Sequence, residues 1–410
     1  MAKQGNNGIL VINCGSSSLK FSLYDAASLL PEWSGSVSHI GGGEGKLEIK
    51  NRQQQIIESR SATFNDLDTA VKEVIGWLKS SAHRDRLSAI GYRMVQGGPV
   101  HREPEIITAQ LIKTLDEFIY LAPNHLPDEL RTIKAFQAEF QDIPQVACFD
   151  TAFHKDMPSY ARYYPLPEKY KDMGLIKYGF HGLSYQYILQ YLKAEDPEIE
   201  KKKIIIAHLG NGASMAAIKN GISVDTTMGI SPVGGLVMGT RSGDLDPGVL
   251  LFLLKQGKLT PKQLDDLLSK ESGLRAIAGR SDVQSLLKAE PDDPKAAEAL
   301  TVFCYTARKF IGALAAAMGG LDLLVFTGGI GENSAVIRKR ICTDMEFMGI
   351  EMAGNQNVNH GAIISKKKSR ITVRVIPTNE ELMIAKLTVG LLNNKINSDK
   401  ILNHGSQPDA

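Results

Sequence analysis

Cysteine, excess charge and long apolar runs are all scarce in this sequence, and each shortage closes off a class of protein. Four cysteines, Cys14, Cys148, Cys304 and Cys342, lie far apart with no C-x-x-C pair, so neither a disulfide framework nor a thiolate zinc site is signalled. A reducing cytoplasm is the expected compartment. Lys and Arg number 47 against 45 Asp and Glu, a net charge of +2 that provides no footprint for nucleic acid or a membrane surface. The first apolar run, Ile9 to Ile12, stops at Asn13 and is too short for the core of a signal peptide. The most lipid-like stretch, Phe310 to Phe326, is broken by Gly319, Gly320 and Asp322 and reads as a helix end followed by a buried strand.

What is present is ordinary globular material: 43% hydrophobic, 22% charged and 7% aromatic residues over 410 positions. At roughly 150 residues per domain, two or three soluble domains with real cores are expected. Strand-like runs alternate with helix-like ones, the pattern of an α/β protein. Asn65 to Lys79 opens on the capping residues Asn65 and Asp66 and then places Leu67, Ala70, Val71, Val74, Ile75 and Leu78 on one helical face. Ala296 to Met318 reads as a long apolar helix stopped by Gly319-Gly320, after which Leu321 to Phe326 reads as a strand ending at Thr327-Gly328-Gly329.

An internal echo organises the rest. Ile9-Leu10-Val11-Ile12-Asn13-Cys14-Gly15-Ser16 and Ile204-Ile205-Ile206-Ala207-His208-Leu209-Gly210-Asn211 match position for position, and each continues into a second strand-like run. Strand, tight polar turn and returning strand thus occur twice, which points to two lobes gripping one ligand. Small residues at such turns let main-chain N–H groups and hydroxyls wrap phosphate oxygens, with Lys20 as a point charge. A third glycine turn, Gly328 to Ser334, lies between a buried strand and the helix-like Ala335 to Arg340, where an anion or nucleotide is favoured. The sequence holds no G-x-x-x-x-G-K-[ST], G-x-G-x-x-G, H-E-x-x-H or G-x-S-x-G, so the phosphate grip is of another kind. Arg93, His154, His181 and Arg241 stand in short loop-like stretches, most of them beside glycines, and form a cationic set suited to a phosphoryl group in transit.

Asn13 to Lys20, Phe149 to His154, Tyr178 to Ser184, His208 to Gly212, Gly239 to Pro247, Thr327 to Ser334 and Thr378 to Leu382 together resemble the acetate kinase (acetokinase) family of short-chain carboxylate kinases, in the family's order. The resemblance implies an α/β fold of two duplicated ribonuclease-H-like domains of the actin, hexokinase and Hsp70 type, with a cleft between them. It implies an N-terminal domain over 1–150 with a C-terminal helix at 381–396 packing back, a nucleotide-binding domain over 151–380 and a frayed tail at 397–410. It further implies a homodimer, with no nucleic-acid or membrane partner, and reversible transfer of the ATP γ-phosphoryl group to acetate, giving acetyl phosphate and ADP with Mg²⁺, or Mn²⁺, as the metal.

Carried over residue by residue, the resemblance gives Asn13 and Glu380 to the metal. Ser16, Ser17, Ser18 and Lys20 face the phosphates. Arg93 binds the substrate carboxylate or phosphate, His181 and Arg241 stabilise the transferring group, and Asp150 orients Arg93 and the metal's water. His208, Leu209, Gly210, Asn211 and Gly212, Asp282, Val283 and Gln284, and Gly329, Ile330, Gly331, Glu332 and Asn333 complete the nucleotide site. Val95, Asn124, His125, Phe180 and Pro232 go with Arg93 to the acyl substrate. Asn124 stands where the family has an apolar residue, Gln96 where it often has His, Val233-Gly234-Gly235 where Leu-Glu-Gly is usual, and Gln284 where Arg is expected. One polar wall residue can reset a preference worth about 0.8 kcal/mol per buried CH₂, so propionate or another short-chain acid is the alternative substrate. An actin-like or Hsp70-like ATP switch is the alternative from another class, though it leaves the arginines and His181 without a substrate to clamp.

Overall fold

Four consecutive apolar residues make a strand that must be covered on both faces, and both copies of the echo do so. A computed structural model describes residues 7–15, 17–80 and 84–404, with side chains described through Lys395. Ile9 to Ile12 lie in β1 (Gly8–Cys14), and Ile204 to Ala207 in β9 (Ile204–Leu209); all eight are buried. The chain divides into two units, Met1–Ala152 with Asn379–Ala410, and Phe153–Thr378.

In the first unit β1 pairs antiparallel with β2 (Ser18–Asp25) and parallel with β6 (Leu87–Met94), and β6 pairs parallel with β8 (Gln145–Phe149). In the second, β9 pairs antiparallel with β10 (Ala213–Lys219) and parallel with β12 (Leu323–Thr327), and β12 pairs parallel with β13 (Thr372–Val375). With β3 (Pro31–Ser38) outside β2 and β11 (Ile222–Thr226) outside β10, both units share one five-strand frame. The echo seen in the sequence is therefore the central hairpin of each frame. The first sheet has eight strands because β4 (Glu44–Asn51) and β5 (Ile56–Thr63) extend one edge and the short β7 (Glu105–Ile106) closes the other.

Helices cover the sheets as the periodicity requires. The helix Leu67–Ser80 buries Leu67, Ala70, Val71, Val74, Ile75 and Leu78, and Asp66 Oδ1 accepts from the Thr69 N–H at 2.8 Å at its start. The helix Pro294–Met318 is long and apolar enough by composition to cross a membrane, but ten of its side chains, among them Phe303 and Ile311, are buried in the second unit. Gly319, at φ +72°, ends it in the left-handed conformation that suits glycine. Two readings differ in detail: the strand after it begins at Leu323, and the glycine turn is itself a short helix, Gly328–Asn333. The helix Glu380–His404 returns to the first unit and packs on β1 and β6. It runs past 396, where the sequence suggested fraying; residues 405–410 lie outside the described residues. Gly91 in β6 makes that packing possible, because a Cβ there would overlap Thr388 Oγ1 and Ile384.

Candidate active site

The first unit assembles its polar residues at the ends of β1, β6 and β8. Strand register sets Asn13 directly opposite Lys20, while Arg93 is the penultimate residue of β6 and Asp150 follows β8. Asp150 is fully buried, and its Oδ2 accepts from Arg93 Nε at 3.0 Å and Nη2 at 2.7 Å. Arg93 Nη1 donates to Asn13 Oδ1 at 3.3 Å and lies 4.0 Å from Glu380 Oε2. Burial alone would loosen the arginine's proton, but Asp150 and then Glu380 outweigh it and hold the guanidinium charged. The result is one fixed cation ringed by oxygen acceptors.

Glu129, which sequence reasoning did not single out, stands behind this group. Only 4% exposed, it takes the Val95 N–H on both carboxyl oxygens at 3.2 Å. Burial pushes its carboxyl up to about 8 against the pull of Arg93. Its signal in the sequence was faint, because an acid in the first turn of a helix (Leu126–Glu139) reads first as a dipole partner. His125 is the residue preceding that helix, and Asn124 before it is exposed. Ser18 begins β2, and its carbonyl accepts from Gly15 N–H at 2.8 Å across the turn; Ser16 lies outside the described residues.

The second unit uses imidazole and backbone instead of carboxylates. His181 precedes the helix Gly182–Glu195 at φ +57°, a conformation rare outside glycine that stores strain at the site. Its ring stacks on that of His208 with centroids 4.4 Å apart. A serine hydroxyl holds each ring at Nδ1, Ser214 for His181 at 2.7 Å and Ser184 for His208 at 2.8 Å, and Tyr185 OH bonds Ser214 in turn. Phe180 is buried beside them, its carbonyl bonded to His154 Nε2. Arg241 Nη1 donates to the Pro232 carbonyl at 3.0 Å. The turn of the β9–β10 hairpin brings these together: a side chain at Gly212 would sit 3.2 Å from His181 Nε2 and 3.6 Å from Arg241 Nη1. Gly273, at φ +66°, fixes the Arg241 loop because a Cβ would overlap the Met238 and Arg241 carbonyls.

Of the remaining nucleotide candidates, Asp282 caps the helix Val283–Ala289 through the Ser285 N–H at 2.7 Å, and Gln284 is exposed. In the Gly328–Asn333 turn, Asn333 Nδ2 bonds the Gly329 carbonyl and the Glu332 carboxylate turns back on Gly328 N–H. Sequence reasoning also missed Arg338, a fully buried guanidinium behind this turn.

Among the described residues no group of three or more His, Cys, Asp or Glu forms a metal cluster. The donor set of Asn13 and Glu380, with Asp150 beside them, is oxygen only, which suits a hard divalent ion that keeps most of its waters. Each unit by itself holds a fixed cation of the kind that binds anionic oxygens, Arg93 in the first and Arg241 in the second.

The acetokinase family profile matches residues 8–386. An acetate kinase of Nitrobacter hamburgensis is 41% identical over 398 residues, which span 96% of this chain and 98% of that protein. One of Carboxydothermus hydrogenoformans is 42% identical over 400 residues, 94% and 100% of the two chains. Among solved structures, Porphyromonas gingivalis acetate kinase superposes with a TM-score of 0.84 at 38% identity, covering 94% of this chain and all (100%) of the other. A propionate kinase from Francisella tularensis gives 0.87 at 36% identity, covering 93% and 98%. The repeated five-strand frame is the duplicated ribonuclease-H-like fold of these relatives. From the sequence match, the shared fold and the paired hairpins, the chain belongs to the acetokinase family.

Proposed function

We propose that the protein transfers the ATP γ-phosphoryl group to acetate, reversibly, giving acetyl phosphate and ADP by direct in-line displacement. The observation that carries this reading is Arg93, clamped by the fully buried Asp150 and flanked by Asn13 and Glu380. A carboxylate substrate has a pKa of roughly 4 to 5 and is already a nucleophile at neutral pH, so no general base is required. The obstacle is bringing two anions together, and fixed guanidinium groups that cannot lose their charge reduce it. Asp150 acts as an orienting group for Arg93. Arg241 and His181 stabilise the transferring oxygens, His181 being held at Nδ1 by the Ser214 hydroxyl. Mg²⁺, or Mn²⁺, held by Asn13 and Glu380 through water, would supply further charge neutralisation for the phosphates.

Val95, His125, Asn124, Phe180 and Pro232 form the acyl-binding set in this reading, with acetate preferred and propionate the alternative that the Francisella structure's name raises. Incubation with ATP, Mg²⁺ and acetate, propionate or butyrate, with hydroxylamine to trap acyl phosphate, tests both reaction and preference. No trapped product with any acid would overturn the proposal.

A homodimer is the proposed assembly. The helix Pro247–Lys255 reads PGVLLFLLK with no side chain buried, leaving Leu251 54% and Phe252 62% exposed, an apolar face that a second copy would cover. Light scattering of the wild type against Phe252→Glu tests it, a dimer falling to monomer being the expected result. A cytoplasmic location agrees with four free cysteines whose thiols burial pushes up to about 12.

A further inference from the structure

Glu332 belongs to the short helix that follows β12, where the sequence placed it among groups facing nucleotide. Its Oε1 instead accepts three bonds from within its own unit: from Gly328 N–H at 2.8 Å, Thr378 N–H at 3.0 Å and the Thr327 hydroxyl at 3.3 Å. An oxygen so occupied has little capacity left for a ligand, and a carboxylate turned toward phosphates would repel them. Thr378 is 46 residues further along and is the last residue of the second unit. Asn379 follows, accepting on Oδ1 from Leu382 N–H at 2.9 Å as the cap of the returning helix, whose first residue is Glu380.

The far end of the same turn is fixed separately. Arg338 donates through Nη1 to the Gly331 and Glu332 carbonyls, each at 2.8 Å, and through Nε and Nη2 to Asn357 at 2.9 Å. Its charge meets carbonyl and amide oxygens, so it frames the turn without drawing the Glu332 carboxylate away from Thr378.

We infer that Glu332 is a positioning residue: one carboxylate oxygen ties the start of the nucleotide turn to the crossover that delivers Glu380, linking the placement of the two. The role assigned to Glu380 rests on the carboxylate-kinase reading; the tie itself does not.

Two variants separate this role from a direct contact. Glu332→Gln keeps an acceptor oxygen where Oε1 stands, whereas Glu332→Ala removes it. Glu332→Ala is expected to lower kcat at least about tenfold and to raise the half-saturating Mg²⁺ concentration about threefold, with Glu332→Gln within about threefold of wild type in both. Hydrogen exchange in the full chain provides a readout independent of activity: the Thr378 amide loses protection in Glu332→Ala and keeps it in Glu332→Gln, while β12 stays protected in both. Unchanged Thr378 exchange in Glu332→Ala, equal impairment of the two variants, or an effect confined to the KM for ATP would each overturn the inference. Failure of the wild type to form acyl phosphate would overturn the functional reading alone, and Thr378 exchange would then decide the tie.

Discussion

The two units share one strand order and reach opposite electrostatic solutions on it. The first gathers Asp150, Glu380 and Glu129 around a single arginine, whereas the second sets stacked histidines, serine hydroxyls and a glycine turn around another. Strand order fixes where side chains gather, at the ends of the central hairpin and its parallel neighbours, but leaves their chemistry open. A duplicated frame can therefore divide its chemistry, with carboxylates fixing an arginine on one copy and imidazoles beside a glycine turn on the other.

Removing either arginine is the strongest way to test that division. Arg93→Ala and Arg241→Ala are each expected to cut kcat at least about a hundredfold, as for lost charge stabilisation in a dry site, and steady-state kinetics will show it. Near-normal turnover in either would mean that only one unit does the chemistry. Within the first unit, Asp150→Ala added to Arg93→Ala should cost little beyond Arg93→Ala alone, because Asp150 acts through the arginine; a fully additive loss would assign Asp150 a proton-transfer role of its own. In the second unit, Gly212→Ala should slow turnover on the order of tenfold by pressing on His181 and Arg241, with a smaller effect on the melting temperature.

The smallest effects lie in stability against pH, and there the units should part. Glu129 holds its proton up to about 8 instead of the ordinary 4.5, so the stabilisation present below 4.5 is lost as pH rises toward 8. His154, buried against Ser223 and the Phe180 carbonyl, is pushed from 6.5 down to about 4, so its contribution is full above 6.5 and lost as pH falls toward 4. Each is worth at most about 1.4 kcal/mol per pH unit. Thermal melts should show the first unit weakening on the alkaline side and the second on the acid side, with Glu129→Gln and His154→Gln flattening one limb each. A single shared limb would refute that separation.

Much of this was legible because apolar runs and paired turns are local signals. Ile9 to Ile12 and Ile204 to Ala207 announce two doubly covered strands, and the periodicity of Leu67 to Leu78 predicts all six side chains that the helix buries. Glu129 and Arg338 were not legible, since a buried charge looks like a surface charge until packing covers it. The inward turn of Glu332 escaped as well, because its partner Thr378 is distant in sequence. The site residues drawn from the family resemblance fall into two groups, one in each unit, and within each the hydrogen bonds above show how neighbours support one another.

The helix that rests on Gly91 follows the whole of the second unit in sequence, so the first unit is discontinuous while the second is not. During synthesis the N-terminal sheet emerges early yet keeps one apolar flank bare until the helix beginning at Glu380 has left the ribosome. Truncation before Glu380 should thus damage the part of the molecule made first, and a nascent chain stalled there should be the form that chaperones hold longest.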